Sequence, residues 1–181
     1  MVRFLLICFA ALLAVTIIFA NAPQAVNAPR VLRHAKQLPS QGTLSFQHDY
    51  VYLKVNDQYI NSLYPSLLTD VKNNTCMRKP GNSVGAHITL VESGRLKHKD
   101  WEKLRSLNGR DFDFQITNIN KVKFSHFRGD RHYTKVYYFL TLKSPELEKT
   151  LKHRGVAKYL TKEPLHITIA KSRQVNGMCA R

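Results

Sequence analysis

Acidic residues are scarce in this chain. Of 181 residues, 12 are Asp or Glu against 28 Lys or Arg, a formal charge of +16. The acids are scattered, and no cluster of carboxylates is spaced to hold a metal ion, which argues against carboxylate-bound metal chemistry. Cysteine is scarce too: there are three, and no Cys/His group has zinc-site spacing. The basic residues are many but never gathered in one block, which excludes a simple polybasic tail and leaves charge unable to locate a site. Their surplus favours a polyanionic partner: nucleic acid, an anionic membrane face or a phosphorylated metabolite.

The length suits one domain with appendages. Arg3 is followed by an uncharged run, Phe4 to Ala20, that ends in small residues. This pattern is that of a secretory signal, and residues 1–20 are read as one. The competing reading is an uncleaved anchor, since the run nearly suffices to span a bilayer. Removing residues 1–20 leaves 27 basic against 12 acidic residues, a formal +15, and two cysteines, Cys76 and Cys179. In an oxidising compartment these two either pair or remain free thiols. Asn73-Asn74-Thr75 is a glycosylation sequon.

Residues 21–45 hold three prolines and no aromatic residue, and they show no periodicity. They read as an unstructured linker or pro-segment. Within them Arg30-Val31-Leu32-Arg33 is similar to the Arg-x-Leu-Arg targeting tetrad of oomycete effectors, though a basic linker or protease site explains it as simply. The folded domain is expected over 46–175, with a tail over 176–181.

Alternating β-forming residues predict a strand over Tyr50 to Val55. Apolar spacing predicts a helix over Asp57 to Val71, kinked or split by Pro65. A loop and the strand "VGAHITLV" follow. Next comes a short helix capped by Asp100 and ended by Asn108-Gly109. Asp111 to Thr117 is read as a strand with "KVKFSHF" as its partner, and Lys135 to Leu142 as a central strand. Ser144-Pro145 opens a helix that Gly155 stops. "LHITIAKS" is the last strand. Mixed strand pairs and helices in this order predict an α+β fold.

Two phrases carry the chemistry. "AHITL" spans Ala86 to Leu90, and "LHITI" spans Leu165 to Ile169. A third His-x-Thr, His132-Tyr133-Thr134, lacks the apolar frame and is read as chance. On a strand, side chains alternate between faces. His87 and Thr89 then share one face, as do His166 and Thr168, while the aliphatic residues plug the other. Two such strands facing across a cleft would offer two imidazoles and two hydroxyls to a phosphodiester. One imidazole would take a proton from the attacking oxygen and the other would give one to the leaving oxygen. The threonines would bind the non-bridging phosphoryl oxygens. No metal and no cofactor is required.

The paired phrases, each on a strand near the end of its half of the domain, resemble the two-histidine phosphoesterase superfamily over roughly Phe46 to Arg173. The resemblance implies a bilobal, pseudo-twofold α+β domain whose antiparallel sheets line a central cleft. It implies metal-independent cleavage of 2′,3′-cyclic or 2′-5′ phosphodiesters, with His87, Thr89, His166 and Thr168 as the catalytic tetrad. Many members carry Pro directly before each His, where this chain has Ala86 and Leu165. Which His is acid and which is base stays open at this point.

Lys171, Arg173 and Tyr133 are further candidates for substrate contact. Tyr50, Tyr52 and Tyr137 are candidates for stacking on a base or for the core. Ser125 to Lys135 is read as a substrate-contacting loop. The expected protein is a secreted monomer acting on RNA or small nucleotides, without stable membrane contact after signal removal. The rival readings are a non-catalytic basic nucleic-acid-binding protein and a secreted host-directed effector.

Overall fold

Strand is the commonest regular structure in the chain, built where β-branched and aromatic residues alternate with polar ones. The computed structural model describes residues 19–20, 22–47, 50–71, 76–81, 83–159 and 164–180. Most of the expected signal segment, residues 1–18, and the sequon at 73–75 lie outside the described residues.

In chain order the elements are β1 (Phe19–Ala20), β2 (Gln24–Ala25), α1 (Pro29–Ala35), β3 (Gln41–Gln47), β4 (Tyr50–Lys54), α2 (Gln58–Asn61), α3 (Leu63–Asp70), β5 (Met77–Arg78), β6 (His87–Val91) and α4 (His98–Arg105). Then come β7 (Asp111–Asp113), β8 (Gln115–Arg128), β9 (Arg131–Lys143), α5 (Pro145–His153), a 3-10 turn at Ala157–Tyr159, β10 (His166–Val175) and β11 (Met178–Cys179). The fold is α+β. One sheet runs β1-β8-β9-β10-β6-β4-β3-β7, with β2 on β8 and with β5 and β11 on β10. Its pairs are antiparallel.

The order has an internal echo. The pair β3–β4 leads through helices to β6, and the pair β8–β9 leads through α5 to β10. β6 and β10 then meet at the middle, with Ile88 opposite Ile167. Both isoleucines are fully buried, in one core cluster with Val31 of α1, Leu63 and Leu67 of α3, Leu104 of α4 and Leu147 of α5. Truncating either isoleucine to Ala would cost about 2–5 kcal/mol. The sheet's aliphatic face therefore meets the helices, and the face bearing His and Thr is the other one.

The reading of residues 21–45 as an unstructured linker is overturned, first by β2, where Gln24 and Ala25 pair with Lys121 and Asn120 of β8, and then from Pro29 onward. Pro29 starts α1 with its ring-fixed φ, and Val31 and Ala35, one turn apart, are fully buried. The orphan N–H groups of Arg30 and Val31 donate to Asp70 Oδ2 at 3.1 and 3.3 Å, so a carboxylate at the end of α3 caps α1. A seven-residue helix with its cap forty residues away has no local signature. Burial of Val31 also means the Arg30–Arg33 tetrad is no extended, exposed segment.

Other boundaries moved for identifiable reasons. The helix over 57–71 is split at Ser62, because Pro65 clashes with the carbonyl four residues back, that of Asn61, where α2 ends. Asp100 is not the cap of α4: that place is held by Lys97. Asp100 is instead fully buried, accepting hydrogen bonds from Lys103 and from the Tyr159 phenol. The strand expected over 111–117 is cut at Phe114, and "KVKFSHF" continues the long β8 rather than pairing with it. Ser125 to Lys135 forms the end of the β8–β9 hairpin, turning at Gly129 with φ +60. The expected tail turns at Asn176-Gly177, both at positive φ, and returns as β11. Cys179 of β11 is disulfide-bonded to Cys76, 103 residues earlier.

Candidate active site on the β6–β10 seam

Antiparallel pairing of Ile88 with Ile167 sets the neighbours on either side. His87 stands beside Thr168, and Thr89 beside His166. All four side chains leave the sheet on the face opposite the isoleucines. The two phrases are therefore adjacent strands of one sheet, not strands facing each other across a gap. The two histidines are diagonal neighbours, a relation that in regular sheets separates them by about 7–8 Å.

Each histidine is held the same way. Nδ1 of His87 lies 2.8 Å from the carbonyl of Gly85, and Nδ1 of His166 lies 2.9 Å from the carbonyl of Pro164. A carbonyl only accepts, so Nδ1 carries the proton in both rings and Nε2 is left as the working atom. Each ring also leans on an aromatic side chain from the next strand outward. His87 meets Tyr50 and Tyr52 edge-on, each at 5.8 Å, and His166 meets Phe139 at 5.2 Å. Tyr52 pairs with Thr89 on β4, as Phe139 pairs with Thr168 on β9.

The backbone before His87 is clamped. Lys54, opposite His87 on β4, donates to the carbonyl of Val84 at 2.6 Å and to Asp57 Oδ1 at 3.0 Å. The same carboxylate oxygen accepts from the N–H of Ala86 at 2.8 Å. The Ala86 bond and then Lys54 hold the Asp57 carboxyl below its usual range. Gly85 lies beneath them at φ +72, a conformation that favours glycine.

Electrostatics distinguishes the first histidine. Burial pushes the His87 imidazole below its ordinary pKa. The Gly85 hydrogen bond opposes this, and the charges of His166 and Lys54 add to the lowering. His87 is thus held neutral at pH 7, with Nε2 free to accept a proton. Beside it the Tyr50 phenol lies 2.6 Å from the Thr89 hydroxyl. Burial raises the Tyr50 pKa, against the hydrogen bond shared with Thr89, and Tyr52 and Glu92 raise it further.

The remaining candidates divide. Strict alternation would put Lys171 and Arg173 on the opposite face from His166. A register shift between Thr168 and Ala170 reverses the alternation, so Lys171 and Arg173 pair with Tyr137 and Lys135 on the histidine face. Tyr133 is not brought to the histidines. It pairs with Val175 at the far end of β9, eight residues from the Thr141–His166 pair, roughly 25 Å along the strand. There it stacks on His126 at 5.1 Å, and the Arg173 guanidinium lies over its ring at 5.9 Å. Sequence reasoning missed Lys54, Asp57 and Phe139. No sequence signal marks them, because strand register alone brings them to the seam.

Among the described residues no three His, Cys, Asp or Glu side chains are grouped as a metal site. Among the same residues no helix is long and apolar enough to cross a membrane. No family model, curated protein or solved structure matches the chain.

Proposed function

We propose that the chain is a phosphodiesterase of the two-histidine type, acting on 2′,3′-cyclic or 2′-5′ phosphodiester bonds of RNA or small nucleotides. The observation that carries this reading is the matched pair of imidazoles. Both donate Nδ1–H to the carbonyl two residues upstream, and both offer Nε2 on one face with a threonine hydroxyl beside each. The repeated order of strand pair, helix and phrase supports a bilobal, pseudo-twofold arrangement of this type. The Cys76–Cys179 disulfide, a bond that persists in oxidising compartments, supports an exported protein.

For a 2′,3′-cyclic end the roles follow from the electrostatics. His87 Nε2, held neutral by burial, takes a proton from the attacking water. The water oxygen bonds to phosphorus as one ring P–O bond breaks. His166 Nε2–H delivers a proton to the departing ribose oxygen, leaving a phosphomonoester. Thr89 and Thr168 donate to the non-bridging oxygens, where charge accumulates. Tyr50 is a positioning residue. By donating to the Thr89 oxygen it leaves the Thr89 proton for the phosphoryl group.

The test is opening of an RNA oligonucleotide ending in a 2′,3′-cyclic phosphate, in excess chelator. Wild type should open the ring, and His87→Ala and His166→Ala should each lose at least about 100-fold in rate. Silence of wild type on this substrate and on 2′-5′-linked oligonucleotides would sink the proposal in favour of a binding protein or effector.

A further inference from the structure

Next to the tetrad, on the same face, stands an arginine whose buried Nε has no hydrogen-bond partner among the described residues. Arg78 of β5 pairs with Lys171 of β10, so the two side chains leave the same face. The neighbouring pair, Met77 and Ser172, is buried on the core side, which confirms the direction of Arg78. Nε of Arg78 is shielded from solvent and has no hydrogen-bond partner among the described residues. An unsatisfied buried donor of this kind ordinarily costs a protein stability, the more so when charged. Lys171 reaches toward the same place. Its ammonium lies 3.8 Å from where a side chain on Gly81, in the segment after β5, would begin. Among the described residues no ion pair involves Arg78, Lys171 or Arg173. Two cations side by side, with no carboxylate between them and one nitrogen already stripped of water, form a receptor for an anion with several acceptor oxygens.

Its position gives the anion's identity. The register shift after Thr168 makes Lys171 the next side chain on the histidine face, three residues and at most roughly 10 Å of strand away. That is the reach of one nucleotide step from the scissile phosphate. We propose that Arg78 and Lys171 form a second phosphate subsite, so that the enzyme prefers an oligonucleotide end to a single cyclic nucleotide. This rests on the phosphodiesterase reading for the reaction, though not for the binding.

The experiment has two arms. In the first, kcat/KM is measured for a nucleoside 2′,3′-cyclic monophosphate and for a dinucleotide ending in the same group. Wild type should favour the dinucleotide by about tenfold or more, Arg78→Met should erase most of that preference while leaving the mononucleotide rate unchanged, and Lys171→Met should erase most of it as well. In the second, a 3′-phosphorylated oligodeoxynucleotide, which has no 2′ hydroxyl to react, is titrated across salt concentrations. Each variant should bind it several-fold more weakly, with the salt slope reduced by about 0.7 for the lost contact. Arg78→Met should melt no lower than wild type, because a merely structural arginine would be missed and an unpartnered one would not. No turnover by wild type, with binding weakened as stated, would remove the reaction and keep the subsite. Unchanged binding and unchanged preference in both variants, or a destabilised Arg78→Met with normal binding, would overturn the subsite whatever the reaction proves to be.

Discussion

The phenol oxygen of Tyr50 lies 2.6 Å from the hydroxyl oxygen of Thr89, which joins a side chain of β4 to the first His-x-Thr phrase. Burial keeps the phenol protonated and so able to donate. Tyr50→Phe should lower kcat about tenfold, equal to about 1.4 kcal/mol of transition-state stabilisation, with a smaller effect on KM. The melting temperature should change little, since one neutral hydrogen bond contributes about 1 kcal/mol. A wild-type kcat in this variant would show that Thr89 needs no positioning by Tyr50.

Gly85 is predicted to be intolerant of any side chain. At φ +72 a β-carbon would press into the Asp57 carboxylate and the Lys54 ammonium. Gly85→Ala should cost about 1–3 kcal/mol of stability. Because the Gly85 carbonyl orients His87, kcat should fall by more than the stability loss explains. Thermal melting and initial rates, measured on the same preparation well below the melting temperature, separate the two effects.

The pH profile tests the assignment of base. Burial first, then the charges of His166 and Lys54, lower the His87 pKa below 6.5, while the Gly85 bond opposes them. A base must be neutral to act, so activity should rise with pH through a midpoint below 6.5, and the His87 ring should titrate at the same midpoint by NMR. Tyr50, which also faces this ring, stays neutral across that range, because burial raises its phenol. An acidic limb at or above 6.5 would take the role of base away from His87.

Reduction should weaken the fold. The bridge between Cys76 and Cys179 closes a loop of about a hundred residues, for which chain entropy allows up to about 4–5 kcal/mol. The bridge also holds β11 and the segment before β5 against β10. Cys76→Ser with Cys179→Ser should melt well below wild type, and a reductant should lower the wild-type midpoint to match. Equal melting with and without reductant would contradict this.

Asp100 should make stability depend on acid pH. Hydrogen bonds from Lys103 and then Tyr159 hold its carboxyl at about 2. The folded pKa is depressed, so the contribution is fully present above the unfolded value, about 4, and is lost as pH falls toward 2. Asp100→Asn should melt lower than wild type at pH 7, and the gap should narrow as pH falls from 4 to 2. A gap independent of pH would mean that the carboxylate charge is not what joins α4 to the turn before β10.

Legibility followed the range of the interactions. β4, β6, α5 and β10 could be read because their signals are local: alternation along a strand, or Pro145 and Gly155 bracketing a helix. α1 could not, because it is seven residues long and its cap comes from Asp70. The hairpin at 125–135 read as a loop because its basic and aromatic residues hide a strand paired along its whole length.

The sequence by itself determined that His87 and Thr89 share a face, that His166 and Thr168 do the same, and that an aliphatic stripe backs each pair. Those facts need only the two-residue period of a strand. Tertiary structure decided that the two strands are neighbours, that Tyr50 reaches Thr89, and that Lys171 and Arg78 turn to the histidine face. Pairing partner, register and one irregularity after Thr168 set these relations. They depend on which strands bury their isoleucines against each other, a choice made across the whole core rather than within any one phrase.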